Sequence, residues 1–115
     1  MIPKNSYFWD MKDAKKILQR IKLTVNQSDP TARVYLYGSR ARGNARPDSD
    51  WDLLILIGKD IVSDEDEKKI TWPLYDLEFE TGEVLSPMVY SEREWFSKYK
   101  VTPFFSTVMR EGKLL

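Results

Sequence analysis

Two apolar runs, Val34-Tyr35-Leu36-Tyr37 and Leu53-Leu54-Ile55-Leu56-Ile57, enclose a polar stretch that opens on Gly38-Ser39 and, ten residues later, closes on Asp50-Trp51-Asp52. No other part of the chain limits its fold and chemistry so strongly. The first run, extended back to Ala32, is rich in β-branched and aromatic residues and reads as a buried first strand; the second strand runs from Asp50 to Ile57. Between them lie Gly38, Gly43, Asn44 and Pro47, which make a loop with a short helical turn over Ser39 to Arg42. A turn of small residues that lets backbone approach a phosphate is thereby joined to two carboxylates that can share a metal ion. That combination suits a protein holding a metal–nucleoside triphosphate.

The remaining elements follow from periodicity and punctuation. Tyr7, Met11, Ala14, Leu18, Ile21 and Val25 recur at alternating spacings of four and three, one apolar stripe of an amphipathic helix that ends at Ser28-Asp29-Pro30. Ser63-Asp64-Glu65-Asp66 resembles a capping box opening a second helix, with Ile70, Leu74 and Leu77 on its inner face and Gly82 at its stop. Pro73 lies inside that helix, so a kink or a break is expected near Trp72. Val84 to Tyr90 is the third strand, and Pro87, which cannot donate to a ladder, places it at an edge or on a bulge. Ser91 to Tyr99 and Thr102 to Glu111 are two short closing helices. The order α-β-β-α-β-α makes residues 1–115 one α/β (α+β) domain on a three-stranded sheet.

Composition removes several kinds of chemistry. The chain has no cysteine and no histidine, which excludes disulfides, thiolate zinc sites, thiol nucleophiles, imidazole bases and the Ser-His-Asp arrangement. What remains is carboxylates, hydroxyls, arginines, lysines and a hard cation such as Mg²⁺. Eighteen basic and eighteen acidic residues cancel, so no net field draws the protein to nucleic acid or to an anionic membrane. Neutrality favours self-association, a homodimer among the outcomes, or a complementary protein partner. The start of the chain lacks a signal-peptide apolar region, and Leu53–Ile57 is far short of the ~20 residues of a membrane span. A soluble, cytoplasmic protein is expected.

Side chains alternate along a strand, so Asp50 and Asp52 face the same way with Cα atoms roughly 6–7 Å apart. They can converge on Mg²⁺, which takes one or two carboxylates together with substrate phosphates. Gly38 permits close approach of backbone to ligand, and Ser39 offers a hydroxyl and backbone N–H groups. Arg40, Arg42 and Arg46 are close enough in sequence to neutralise a triphosphate through forked hydrogen bonds. Each part alone has a plainer explanation as a turn, as strand-end polarity or as a solvated loop. Together, between two strand signals, they are far more specific.

The stretch Gly38-Ser39-Arg40-Ala41-Arg42-Gly43-Asn44-Ala45-Arg46-Pro47-Asp48-Ser49-Asp50-Trp51-Asp52-Leu53 resembles the signature of the minimal nucleotidyltransferases (the MNT antitoxin type) of the DNA polymerase β superfamily. The resemblance covers about Ala32 to Ile57 strongly and the rest by length and element order. It implies a minimal polymerase-β-like core with a three-stranded mixed sheet flanked by helices. It further implies Gly38 and Ser39 at the triphosphate, Asp50 and Asp52 on Mg²⁺, and transfer of a nucleoside monophosphate from ATP to an acceptor hydroxyl as pyrophosphate leaves. As a partner it implies a helical HEPN-type toxin, of which a tyrosine is adenylylated. The family also uses a third carboxylate on the next core strand. The strand here has Ser86 in that place, and the nearest acids, Glu83 and Glu80, read as solvated helix-end charges.

Two functions compete. One is Mg²⁺-dependent transfer of AMP to a protein hydroxyl on a toxin. The other is a catalytically weak or inactive antitoxin that neutralises its partner by binding, favoured by Ser86. Transfer to a small molecule ranks lower because the chain is short for an added substrate domain, and template-directed polymerisation lower still. Trp95, Phe96, Tyr99, Phe104 and Phe105, around the closing helices, exceed what so small a core needs and are candidates for a partner or dimer patch.

Overall fold

The computed structural model describes residues 6–115, with side chains described from Ala14 onward. Tyr7 and Met11, the first two positions of the expected helical stripe, lie outside the described side chains. The first helix, α1, spans Ser6–Ser28. Its inner face is carried by Ile17, Ile21 and Val25, all buried, with Ala14 and Leu18 partly buried beside them. Ile17 thus joins a stripe read as Ala14, Leu18, Ile21 and Val25. After the helix, Asp29 Oδ1 accepts from both the N–H and the hydroxyl of Thr31, a local turn that leads the chain into β1, Arg33–Tyr37.

The sheet has four strands in the order β3-β2-β1-β4. The central strand, β2 (Trp51–Ile57), runs antiparallel to β1 and parallel to β3 (Leu85–Ser91). Three strands were expected. The fourth, β4, is the two-residue Lys113–Leu114, antiparallel to β1, and the Leu115 N–H extends its pairing by donating to the Val34 carbonyl at 2.9 Å. A two-residue strand has no periodicity of its own; its pairing partner defines it. Pro87 lies on β3, an edge strand, where a missing N–H is tolerated.

Between β2 and β3 runs α3, Asp64–Thr81, α2 being the four-residue turn Ser39–Arg42 in the loop after β1. The capping box forms in full: Ser63 Oγ accepts from the Asp66 N–H, and Asp66 Oδ2 accepts from the Ser63 N–H. At the other end Gly82 takes a left-handed conformation and its N–H donates to the Glu78 carbonyl. No break occurs near Trp72. Pro73 sits inside the unbroken helix, and the buried Ile70, Leu74 and Leu77 on either side offset the lost backbone bond.

One face of the sheet is covered by α1 and α3, which enclose Leu36, Leu53, Ile55 and Ile57. On the other face Leu54 and Leu56 meet an aromatic layer built on the fully buried Trp95 and Val108. The segment read as one helix from Ser91 to Tyr99 is instead α4 (Glu92–Trp95) followed by a 3₁₀ turn, Tyr99–Val101. Helix α5 (Pro103–Glu111) begins at Thr102, whose hydroxyl accepts from the Phe105 N–H. Both faces of β2 are therefore buried beyond its first turn, and its polar mouth is the only part that can meet a ligand.

Of the surplus aromatics expected near the closing helices, Trp95 is wholly buried and Tyr99, Phe104 and Phe105 pack around it. Phe96 and Val101 remain exposed there. A second exposed apolar stripe runs along the outer face of α3 through Trp72, Tyr75 and Phe79.

Candidate active site

The polar mouth of β2 is built on one cross-strand row. Tyr37 pairs with Asp52, and Asp52 pairs with Ser86, so β1, β2 and β3 each place one polar side chain on the same face. Tyr37 donates to the Met88 thioether at 3.6 Å and meets the Phe104 ring edge-on. Burial raises its phenol pKa first, and the nearby Asp52 carboxylate adds to the rise. No periodicity in the sequence marks Tyr37 for this position. Its pairing register with Asp52 does.

Gly38 follows directly, with φ 78° and ψ −159°, a conformation that a residue with a Cβ rarely adopts. Space forbids a side chain as well. A Cβ here would overlap Asp52 Oδ2 and lie 3.1 Å from its Cγ. The glycine turn and the second aspartate are thus in direct contact, separated in sequence but not in space. The Gly38 carbonyl accepts from the N–H groups of Ala41 and Arg42, starting α2, and Gly43 closes α2 in the left-handed region. Ser39 is the first residue of that turn.

Asp50 immediately precedes β2 and is exposed, while Asp52 is half-buried. The Ser86 hydroxyl donates to Asp50 Oδ2 at 3.2 Å. The Asp52 carboxyl is held above its ordinary range, first by burial and then by the negative charge of Asp50, with Arg42 pulling the other way. A half-buried carboxyl beside a second acidic side chain at the mouth of an apolar strand leaves a charge imbalance that a cation would relieve. Among the described residues no third acidic side chain joins them to make a metal-holding group. Glu83 accepts from the Trp51 indole N–H at 2.8 Å, and Glu80 pairs with Arg20 at 2.8 Å, so neither reaches in. A pair of carboxylates without a third fits one Mg²⁺ whose remaining positions go to water and phosphate oxygens.

The three arginines of the loop separate by role. Arg42 meets Glu111 on α5 at 3.1 Å while keeping an electrostatic hold on Asp52. Arg46 is exposed; its backbone N–H donates to Ser49 Oγ and its carbonyl accepts from the Ser49 N–H. Arg40 is nearly buried, and its donors go to the loop: Nη2 to the carbonyls of Ser49 (2.9 Å) and Pro47 (3.1 Å), Nε to Ser49 (3.3 Å). Its guanidinium also lies 4.1 Å from the Trp51 ring centre. The sequence suggests an arginine near the phosphates; the structure points these donors at backbone carbonyls.

Comparison with known proteins agrees with this geometry. Residues 18–99 match the nucleotidyltransferase domain family. No individually curated protein sequence matches the chain. Among solved structures, a toxin–antitoxin with AMP-PNP superposes with a TM-score of 0.60 at 19% identity, covering 84% of this chain and 69% of that one. Two structures of the toxin–antitoxin MntA–HpeT give 0.57 at 17% identity (a tyrosine-to-alanine mutant) and 0.59 at 15% (a mutant with two aspartates changed to glutamate), with the same coverage. Identities this low establish a shared fold. The family match runs from within α1 past α4 and takes in every strand that carries the site, so the chain belongs to the nucleotidyltransferase domain family.

Proposed function

We propose that this domain is a Mg²⁺-dependent nucleotidyltransferase that moves AMP from ATP to a protein hydroxyl, on a cognate HEPN-type toxin, and so acts as a cytoplasmic antitoxin. The observation that carries the reading is the contact between Gly38 and Asp52, which puts the phosphate-approaching turn against the carboxylate pair. The solved neighbours support the partner: each is a toxin–antitoxin, and one includes the nucleotide analogue AMP-PNP.

Asp50 and Asp52 would hold the cation, which supplies charge neutralisation on the phosphates. Gly38 and Ser39 line the approach of the triphosphate, and Arg42 adds positive charge beside Asp52. The acceptor oxygen forms a bond to the α-phosphorus, the α–β phosphoanhydride bond breaks, pyrophosphate leaves with the bonding pair, and the hydroxyl proton passes to solvent. With little covalent work for the protein, positioning and charge dominate. The decisive test incubates the protein with the toxin encoded beside it, ATP and Mg²⁺, and reads the toxin's intact mass. Adenylate increments that vanish in Asp52→Ala support the reading; an unmodified toxin at saturating ATP overturns it.

A second reading, a binding module that neutralises its partner without transfer, is favoured by Ser86, since no carboxylate on β3 joins Asp50 and Asp52. It predicts that Asp50→Ala and Asp52→Ala still neutralise the toxin, whereas Phe79→Glu on the exposed stripe of α3 or Phe96→Glu just past α4 abolishes neutralisation.

A further inference from the structure

We infer that Arg40 is a positioning residue: it fixes the loop that joins the glycine turn to the carboxylate pair, and so sets where the metal ligands stand, without itself touching phosphate or metal. This rests on the reading of Asp50 and Asp52 as the metal-holding pair.

The contacts form one continuous chain. Arg40 starts on α2, two residues past Gly38, and reaches across the loop to the carbonyls of Pro47 and Ser49. Ser49 is the residue before Asp50, and Trp51, the residue after it, lies beneath the Arg40 guanidinium. Both chain neighbours of Asp50 are therefore held by a single side chain. The far side of the assembly is anchored too. Glu83 Oε1 accepts from the Trp51 indole N–H and lies 3.6 Å from Arg40 Nη2. The Glu83 N–H in turn donates to Thr81 Oγ1 at the end of α3, and the Trp51 N–H donates to the Val84 carbonyl. Loop, strand and helix end meet on one guanidinium.

The chemistry of arginine explains why this residue type stands there. Its planar fork can donate to two carbonyls while one face stacks on an indole, and it keeps its charge when nearly buried. A lysine keeps the charge but has neither the fork nor the flat face. The Arg40 side chain is 8% exposed, so it is poorly placed to follow a ligand in and out. Removing it frees the loop carbonyls and lets Asp50 move relative to Asp52, whose own place is fixed by β2 and by contact with Gly38.

The test compares wild type with Arg40→Lys and Arg40→Gln in three readouts on the full chain. Hydrogen exchange by mass spectrometry reports the loop from 43 to 50, Mn²⁺ alone is titrated by the resonance signal of the free ion, and Mn²⁺·ATP is titrated by calorimetry. Both variants should exchange at least about tenfold faster in that loop, and should bind Mn²⁺ alone and Mn²⁺·ATP about 10–100-fold more weakly, as loss of a ligand-orienting contact does. A phosphate-contacting arginine would weaken Mn²⁺·ATP and leave Mn²⁺ alone and loop exchange unchanged; that result overturns the inference. So does a general loss of thermal stability with metal affinity unchanged below the transition, which would mark Arg40 as structural only. If the wild type binds neither probe, the metal reading of the carboxylates fails, and unchanged loop exchange in the variants would still refute the brace on its own.

Discussion

Gly38→Ala puts the contact between turn and carboxylate under direct strain. Two costs are separable. The backbone at φ 78° and ψ −159° is in a region almost closed to residues with a Cβ, worth about 1–3 kcal/mol. The new methyl also overlaps Asp52 Oδ2 and crowds its Cγ at 3.1 Å, and forcing such an atom into a filled space costs about 1–3 kcal/mol more. The sum, about 4 kcal/mol at its centre, is a large part of the ~6–17 kcal/mol expected for a domain of this length. At about 3–6 °C per kcal/mol for this size, the melting temperature should fall by about 12–24 °C.

The two terms part company in a double-mutant cycle with Asp52→Ala. Truncating Asp52 removes the overlapped oxygen and Cγ and leaves only its Cβ, which a new methyl would meet at 3.3 Å. In that background Gly38→Ala should cost only the backbone term, so the coupling energy measured by urea unfolding should be about 1–3 kcal/mol. The relief of repulsion between Asp50 and Asp52 appears in both arms of the cycle and cancels. A Gly38→Ala cost that is the same with and without Asp52 would refute the contact, and with it the geometric link between turn and carboxylates.

Because burial and Asp50 raise the Asp52 carboxyl above its ordinary value of 3.8, the folded chain binds that proton more tightly than the unfolded one. The stability it contributes is full below the ordinary value and is lost as pH rises through the raised one. Asp52→Asn should therefore flatten the fall of the metal-free urea midpoint that sets in as pH rises past the ordinary carboxylate value, and an unchanged slope would count against it. Ser86→Asp should tighten Mn²⁺ binding about tenfold or more by adding ligand charge while lowering metal-free stability; a variant with wild-type affinity would show that residue 86 does not face the cation. Ser63→Ala should cost about 0.5–2 kcal/mol by removing one half of the capping box, read as a lower urea midpoint, and no change would mean that the Asp66 half alone secures the helix start.

Much of this structure was legible in the chain because local chemistry and tertiary packing agree. The run from Leu53 to Ile57 could only be a strand buried on both sides, and it lies at the centre of the sheet. Ser63 with Asp66, and Gly82, marked both ends of α3 by hydrogen bonds made within a few residues. What failed to show depends on distant partners. β4 exists only by pairing with β1, and α3 passes through Pro73 because core residues on either side hold it. Spacing told that Arg40 stands near the turn, but not that loop carbonyls take up its donors. Likewise Trp72, Tyr75 and Phe79 sit at helical spacing, yet only the packing of Ile70, Leu74 and Leu77 inward shows that they face out.

Ser86 then becomes a matter of electrostatics more than of a missing part. Burial and then the Asp50 charge already push the Asp52 proton affinity up. A third on β3, in the same cross-strand row, would add a like charge to a half-buried site and deepen that penalty whenever no cation is bound. The hydroxyl of Ser86 instead donates to Asp50 Oδ2, orienting the acid without adding charge, and so stabilises the metal-free site. Under the proposed function, the same choice would leave the cation with fewer protein ligands and make its retention depend on the triphosphate that arrives with it. Nucleotide and metal should therefore bind with strong positive coupling in the wild type, and Ser86→Asp should weaken that coupling as metal affinity without nucleotide rises. Equal coupling in the two proteins, measured by titrating Mn²⁺ with and without ATP, would refute this account of residue 86.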